Sequence, residues 1–162
     1  MGYHVGGLLS HFFTTRKNDF VEMGFHHIVA LYLFGGCYLF NAWNCGSVIA
    51  LLHDIADITT SVTKTLAETN YKNLLGATFV LHMGIWFYTR NALLPYFIWI
   101  LSNQGDQVDF KSPIVLPFFV YLLSCMCLLH YYWFFMFCKM LMKFITKGEA
   151  EDTQNKLVVK KV

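Results

Sequence analysis

The sequence carries little charge for its length, and one long stretch of it carries none. Of 162 residues, 14% are Asp, Glu, Lys or Arg, whereas 56% are hydrophobic, and the mean hydropathy is +0.46. Between Met23 and His53 there is no Asp, Glu, Lys or Arg. A soluble domain of this length could not bury so much apolar surface in one core. The composition therefore predicts an all-α polytopic membrane protein, a bundle of transmembrane helices.

Other absences exclude further classes of protein. The formal net charge is only +2 and the sequence has no basic stripe, so we expect no nucleic-acid partner. The five cysteines form no CxxC pair and lie within or beside apolar runs, which is typical of packed thiols rather than disulfides or zinc ligands. The first residues have no basic stretch of the kind that begins a secretory signal peptide, so none is expected.

The charged residues divide the chain into five apolar segments, which cover about residues 2–15, 20–43, 45–64, 72–102 and 113–145. A membrane-spanning helix needs roughly 20 apolar residues, so the first segment is short for a span. The fourth contains Arg90 and Pro95, and we expect a kink or break near residues 91–95. Segments two and three should form an antiparallel hairpin that turns at residues 43–46.

The loops between the segments predict domain limits and orientation. One side of the membrane collects Arg16, Lys17, Lys64, Lys72 and the lysines after residue 138, whereas the other side holds a neutral turn. The positive-inside rule assigns the first side, and with it the C-terminus, to the cytosol. Residues 1–146 are thus predicted to form the membrane domain, and residues 147–162 a polar cytosolic tail.

Segments two and three contain ionisable residues at membrane depth, namely His26, His27, His53, Asp54 and Asp57. Such groups are expensive in lipid and usually line a cavity or pair with one another. His53 and Asp57 are four residues apart and share one helix face. One interpretation is a polar pair that fixes helix packing. The other is a carboxylate that holds a histidine in one tautomer for acid–base catalysis.

A metal centre is a weaker interpretation of the same residues. Membrane di-iron desaturases and hydroxylases need more histidines than the seven present here, arranged in HxxxH and HxxHH boxes. Met23 stands where an HxxHH box would require a histidine. A metal held by His26, His27, His53 and Asp57 is conceivable, but we predict none.

The spacing of these polar residues resembles the longevity-assurance motif of the TLC-domain family, which includes the ceramide synthases. The family pattern runs HHxxT, then SYxxNxxRxG, then HDxxDxxLExxK. The matching residues are His26, His27, Tyr38, Asn41, Gly46, His53, Asp54, Asp57 and Lys64. The likeness covers most of residues 3–146. It includes "FYTRNALLPYFIW", with Arg90 and Pro95, and "LLHYYWFFMFCKML", with His130 and Trp133.

The sequence also departs from the family pattern. Ala30, Cys37, Asn44, Thr60 and Ser61 stand where the pattern has Thr, Ser, Arg, Leu and Glu. The Arg and Glu of the pattern would form a charged pair that is absent here. The chain also begins within what would be a middle helix of the family, so we expect the N-terminal helices to be lacking.

The resemblance implies an N-acyltransferase that joins a fatty acyl group from acyl-CoA to a sphingoid base. His26, His27, His53, Asp54 and Asp57 would be catalytic, and the substrate-binding residues would be Asn41, Arg90, His130 and Trp133. A histidine would take the proton of the attacking amine, or would be acylated first and pass the acyl group on. Acyl-CoA would be a co-substrate, and no cofactor is implied.

The family also implies a setting, and the departures leave a second function open. We expect an integral protein of the endoplasmic reticulum membrane, with a mitochondrial membrane as the alternative, and membrane lipids around it. The alternative function is a catalytically degenerate TLC protein that serves as a structural or lipid-binding subunit of a larger membrane complex. In either case a protein partner is expected to complete the bundle at segment one.

Overall fold

The described part of the chain is a bundle of α-helices with one π-helix. The structure, a computed structural model, describes residues 6, 9, 13, 19–67, 69, 71–103 and 114–147. Its elements are α1 (Phe20–Leu39), α2 (Trp43–Ala67), α3 (Lys72–Trp86), a π-helix (Phe87–Leu93), α4 (Leu94–Asn103) and α5 (Val115–Lys147). No strand occurs among these residues, which confirms the all-α class. The prediction for the polar tail beyond residue 147, and that for all but three residues of segment one, lie outside the described residues.

Within the described residues, three helices are long and apolar enough to cross a membrane. They are α1, α2 and residues Val115–Thr146 of α5, so the chain is an integral membrane protein. The number of five segments is not confirmed. Segment four is divided into α3, the π-helix and α4, which have 15, 7 and 10 residues, and none of these alone has the length of a span.

Helices α1 and α2 form the predicted antiparallel hairpin. Near its turn Gly46 packs on Cys37, and farther from the turn His26 lies beside His53. The turn itself is at residues 40–42 rather than 43–46, since α2 already begins at Trp43. Asn41 occupies the turn with a φ of 56°, in the left-handed region that asparagine tolerates better than most residues.

Substitutions at Asn41 can distinguish a role in the turn from the predicted role in substrate binding. Glycine adopts the left-handed region freely, so Asn41→Gly should leave the stability nearly unchanged. Asn41→Val should destabilise the chain by about 1–2 kcal/mol, because a β-branched residue is strained there. Thermal unfolding in detergent would measure both. Loss of acyl transfer in Asn41→Gly, at unchanged stability, would favour the predicted substrate-binding role over the turn.

The main core lies where α1, α2, α4 and α5 meet. Leu94, Phe119 and Leu123 are fully buried there, and Leu33 and Ile49 nearly so. Gly36 of α1 lets α5 approach closely, because a Cβ at this position would lie 2.5 Å from Cζ of Phe119. The absence of a side chain at Gly36 is therefore a packing requirement.

Gly36→Ala should destabilise the bundle by about 1–3 kcal/mol, because the buried ring of Phe119 has little room to move away from the new methyl group. Gly84→Ala is the matched control. A Cβ at Gly84 would meet nothing within 4 Å, and alanine is the better helix former by roughly 1 kcal/mol. Thermal unfolding of the two variants side by side would measure the difference, and an equal effect at both positions would contradict the packing argument.

The fourth segment is irregular, as predicted, but it does not break. The π-helix Phe87–Leu93 begins earlier than expected and leads directly into α4. In an α-helix the N–H of residue 95 would donate to the carbonyl of residue 91, and Pro95 has no N–H to donate. The hydroxyl of Tyr131 on α5 donates to the Asn91 carbonyl instead, at 3.0 Å. The irregular segment is thereby attached to α5.

Candidate functional site

Three histidines from three helices lie next to one another. The ring centroids of His26 on α1 and His53 on α2 are 6.3 Å apart, and His130 on α5 lies 5.0 Å from His53 and 6.2 Å from His26. Trp133 adds its indole ring, 5.4 Å from His26. We call His26, His53 and His130 the histidine cluster. The hairpin brings the first two together, and α5 supplies the third.

His130 and Trp133 are three residues apart and therefore share one face of α5. His130 is 0% exposed and Trp133 is 4% exposed. Both were expected from the resemblance to bind substrate. The structure places their rings against His26, and their contact with substrate stays a prediction.

His53 is held by the backbone of its own helix. Its Nδ1 lies 2.8 Å from the carbonyl oxygen of Ile49, one turn earlier. A carbonyl oxygen only accepts, so Nδ1 carries the proton and Nε2 is the basic nitrogen. The sequence predicted an aspartate for this tautomer-fixing position, and the structure places the Ile49 carbonyl there.

The carboxylate of Asp57 forms an ion pair with Arg90 instead. The Arg90 side chain is 4% exposed, whereas that of Asp57 is 52% exposed. The same Nη2 that contacts Asp57 also donates to the His53 carbonyl oxygen, at 3.0 Å. The ring of Trp86 lies 4.0 Å from the guanidinium carbon, a cation–π arrangement. Arg90 therefore fixes α2 at His53.

The remaining predicted site residues surround the histidine cluster or lie away from it. The His27 ring makes an edge contact with that of His26, at 5.7 Å, as adjacent residues on a helix point about 100° apart. Asp54 is exposed on α2. His26 lies near the N-terminal end of α1, whereas Asn41 lies in the turn that follows the C-terminal end. The two residues are therefore roughly 20 Å apart along the helix axis.

One buried histidine was not singled out from the sequence. His82 on α3 is buried, and its Nδ1 lies 2.9 Å from the hydroxyl of Thr59 on α2. Its ring packs on Phe137 and Trp86, at 5.1 Å and 5.6 Å. This histidine joins three helices. The sequence does not indicate this role, because His82 is a single histidine in an apolar segment and its partner, Thr59, is 23 residues away.

The described part of the chain contains no group of three or more His, Cys, Asp or Glu side chains arranged to hold a metal ion. The predicted lack of a metal or cofactor stays a prediction. What the arrangement offers is a basic imidazole nitrogen, neighbouring rings that donate hydrogen bonds, and a buried cation that holds the backbone. These are groups for proton transfer and for stabilising developing charge.

Comparison with known proteins identifies the family. The TLC domain matches residues 1–139, so the chain belongs to the TLC-domain family. It is similar to ceramide synthase 4 of Mus musculus, with 31% identity over 153 residues that cover 94% of this chain and 39% of the relative. Ceramide synthase 1 LOH3 of Arabidopsis thaliana is 32% identical over 154 residues, or 89% of this chain and 50% of the relative.

A fungal relative gives the same result. Ceramide synthase LAG1 of Saccharomyces cerevisiae is 29% identical over 151 residues, which cover 86% of this chain and 36% of the relative. The chain thus spans about two fifths of the length of the animal and fungal relatives it matches. No solved structure matches the chain. The family resemblance inferred from the motif is confirmed.

Proposed function

We propose that this chain is a sphingoid-base N-acyltransferase, which transfers a fatty acyl group from acyl-CoA to the amine of a long-chain base. The observation that carries the proposal is the histidine cluster between membrane helices, with His53 fixed in the tautomer that leaves Nε2 basic. Three relatives named as ceramide synthases are about 30% identical to this chain over the 151–154 residues that align, which supports the same reaction class.

The chemistry uses one proton relay. The neutral amine attacks the thioester carbon, and a C–N bond forms while the Nε2 of His53 takes a proton from the amine nitrogen. The C–S bond then breaks, the sulfur leaves with the bonding electron pair, and His53 returns the proton to it. The products are the amide and free CoA thiol, so no oxidant, reductant or water is consumed.

Arg90 and Asp57 act in this proposal as positioning residues. The Arg90 guanidinium holds the His53 carbonyl, and the Asp57 carboxylate neutralises the guanidinium. A base must be held in the correct geometry relative to the proton it removes. The fixed backbone at His53 provides this geometry, and His26 fills the side of His53 that faces α1.

The positions of the lysines along the bundle support a cytosolic C-terminus. A Cβ at Gly76 would lie 3.0 Å from the ring of Phe144, so the beginning of α3 lies beside the end of α5. Lys64 and Lys72 therefore lie at the same end of the bundle as Lys139 and Lys143. This end is the cytosolic one by the positive-inside rule. We propose the endoplasmic reticulum membrane, with the C-terminus in the cytosol.

The proposal is tested with the chain purified in detergent and supplied with a sphingoid base and acyl-CoA. We expect an N-acylated product, detected by mass spectrometry, that is absent when either substrate is omitted. The alternative function is that of a catalytically degenerate subunit of a larger membrane complex. Asn44 and Ser61 support it, since both replace charged residues of the family pattern. Absence of product over a range of pH, together with a membrane protein that co-purifies in equal amount, would favour that alternative.

A further inference from the structure

Several buried polar atoms of the site make no hydrogen bond within the described residues, and those of Trp133 and His130 lie next to the histidine cluster. The indole Nε1 of Trp133 and both ring nitrogens of His130 are buried and make no hydrogen bond within the described part of the chain. Buried polar groups in proteins are nearly always hydrogen-bonded, so each exception requires an explanation. A group in the interior of a membrane domain is even less able to leave a hydrogen bond unmade.

A neighbouring tryptophan shows that a buried indole N–H in this part of the bundle can be hydrogen-bonded within the chain. Trp86 is as deeply buried, at 5% exposure, and its ring lies 6.2 Å from that of Trp133. Its Nε1 donates to the His130 carbonyl oxygen, at 3.4 Å. The same aromatic cluster thus satisfies one indole N–H and leaves the other available.

The chemistry of the two side chains defines what they can bind. An indole nitrogen only donates, and a neutral imidazole has one N–H to donate. Both donors lie on one face of α5 and both adjoin His26, at 5.4 Å for Trp133 and 6.2 Å for His130. A ligand atom that satisfies them must be an acceptor that sits beside the histidine cluster.

We propose that the Trp133 indole N–H and a ring N–H of His130 donate hydrogen bonds to the carbonyl oxygen of the acyl group. This inference rests on the proposed acyl transfer and assigns catalytic roles within it. When the amine attacks, the electron pair of the C=O bond moves onto oxygen, and the two donors stabilise this negative charge. The pair returns to carbon when the C–S bond breaks, and both N–H groups keep their protons.

Because this stabilisation develops in the transition state, its loss should lower kcat more than it raises KM. Trp133→Phe keeps an aromatic ring and removes the donor, and we expect kcat to fall by about 10²–10³-fold with KM changed little. A second variant, with a tryptophan analogue at position 133 in which sulfur replaces the N–H, keeps the full ring volume and should show the same loss. Retention of kcat in the sulfur analogue would overturn the inference.

An infrared measurement tests the donor site without turnover. Acyl-CoA with a ¹³C carbonyl is bound to the chain in the absence of base, and hydrogen bonds to the carbonyl lower its stretching frequency. We expect this lowering in the unmodified chain and a shift back toward the frequency in water-free solvent in Trp133→Phe. Trp86→Phe is the matched control, because its N–H is already used by the backbone, and it should leave the carbonyl frequency unchanged.

The outcomes separate this inference from the proposed function. Product formation with a carbonyl frequency that is the same in the unmodified chain and in Trp133→Phe would overturn the donor assignment and leave the acyltransferase intact. A lowered frequency that depends on Trp133, without any product, would support the donor site and overturn the proposed reaction. If water alone occupies the donors, the carbonyl frequency does not depend on Trp133 and only the donor assignment is overturned. If acyl-CoA does not bind, both are overturned.

Discussion

Asp57→Asn should destabilise the chain by about 3 kcal/mol, at the lower end of the range for breaking a buried ion pair. The reason is that Arg90, only 4% exposed on its side chain, would keep its charge among apolar helices and lose the carboxylate that pairs with it. The value is not larger because the Asp57 side of the pair is only half-buried. Chemical or thermal unfolding in detergent would measure the loss.

Asp54→Asn is the matched control, since Asp54 is an exposed aspartate on the same helix. It should change the stability by less than about 0.5 kcal/mol, as surface substitutions usually do. The double variant Asp57→Asn with Arg90→Gln removes both charges and should be more stable than Asp57→Asn alone. Equal losses at Asp54 and Asp57, or no recovery in the double variant, would contradict the role of the ion pair.

His53→Asn should lower the rate of acyl transfer by about 10²–10⁴-fold, the contribution expected of a general base. The asparagine amide can still donate to the Ile49 carbonyl as Nδ1–H does, so the variant keeps the local hydrogen bond and loses only the basic nitrogen. The measurement is product formed per folded protein at saturating substrates.

His82→Gln controls for the general effect of replacing a buried histidine. His82 packs between α2, α3 and α5 but lies outside the histidine cluster, so its loss should lower the stability and leave turnover per folded protein within a few-fold. Full activity in His53→Asn would refute the assignment of the base. A comparable fall in His82→Gln would indicate that both effects come from folding.

The helix hairpin was predictable from the sequence, but the exact position of its turn was not. Gaps between charged residues locate apolar helices well, because the lipid interior excludes charge. Asn44 and Gly46 have turn chemistry, yet Gly46 lies in α2 and packs on Cys37. Asn41 makes the turn instead. Glycine serves both for turns and for close packing, and the sequence alone does not distinguish them.

The site was predictable where local spacing decides it. The predicted hairpin brings His26 and His53 together, with their ring centroids 6.3 Å apart. A turn near residue 44 would have placed His53 opposite Gly35 and Gly36, and the observed turn at Asn41 brings it closer to His26.

The i, i+4 spacing predicted that Asp57 pairs with His53. The structure pairs Asp57 with Arg90 instead, because a buried guanidinium attracts the carboxylate more strongly. Only family resemblance pointed to His130 and Trp133, because α5 meets the hairpin through tertiary packing.

Asp54 and Asp57 lie near the middle of α2 with exposed side chains. Transfer of one aspartate to the centre of a bilayer costs about 2.5–3.5 kcal/mol on the translocon insertion scale. The ion pair with Arg90 offsets part of this cost for Asp57, but contact of both residues with acyl chains would still remove a large share of the stability of a small domain. This face of α2 therefore borders water or a polar protein surface, and the bundle has one side that lipid does not solvate.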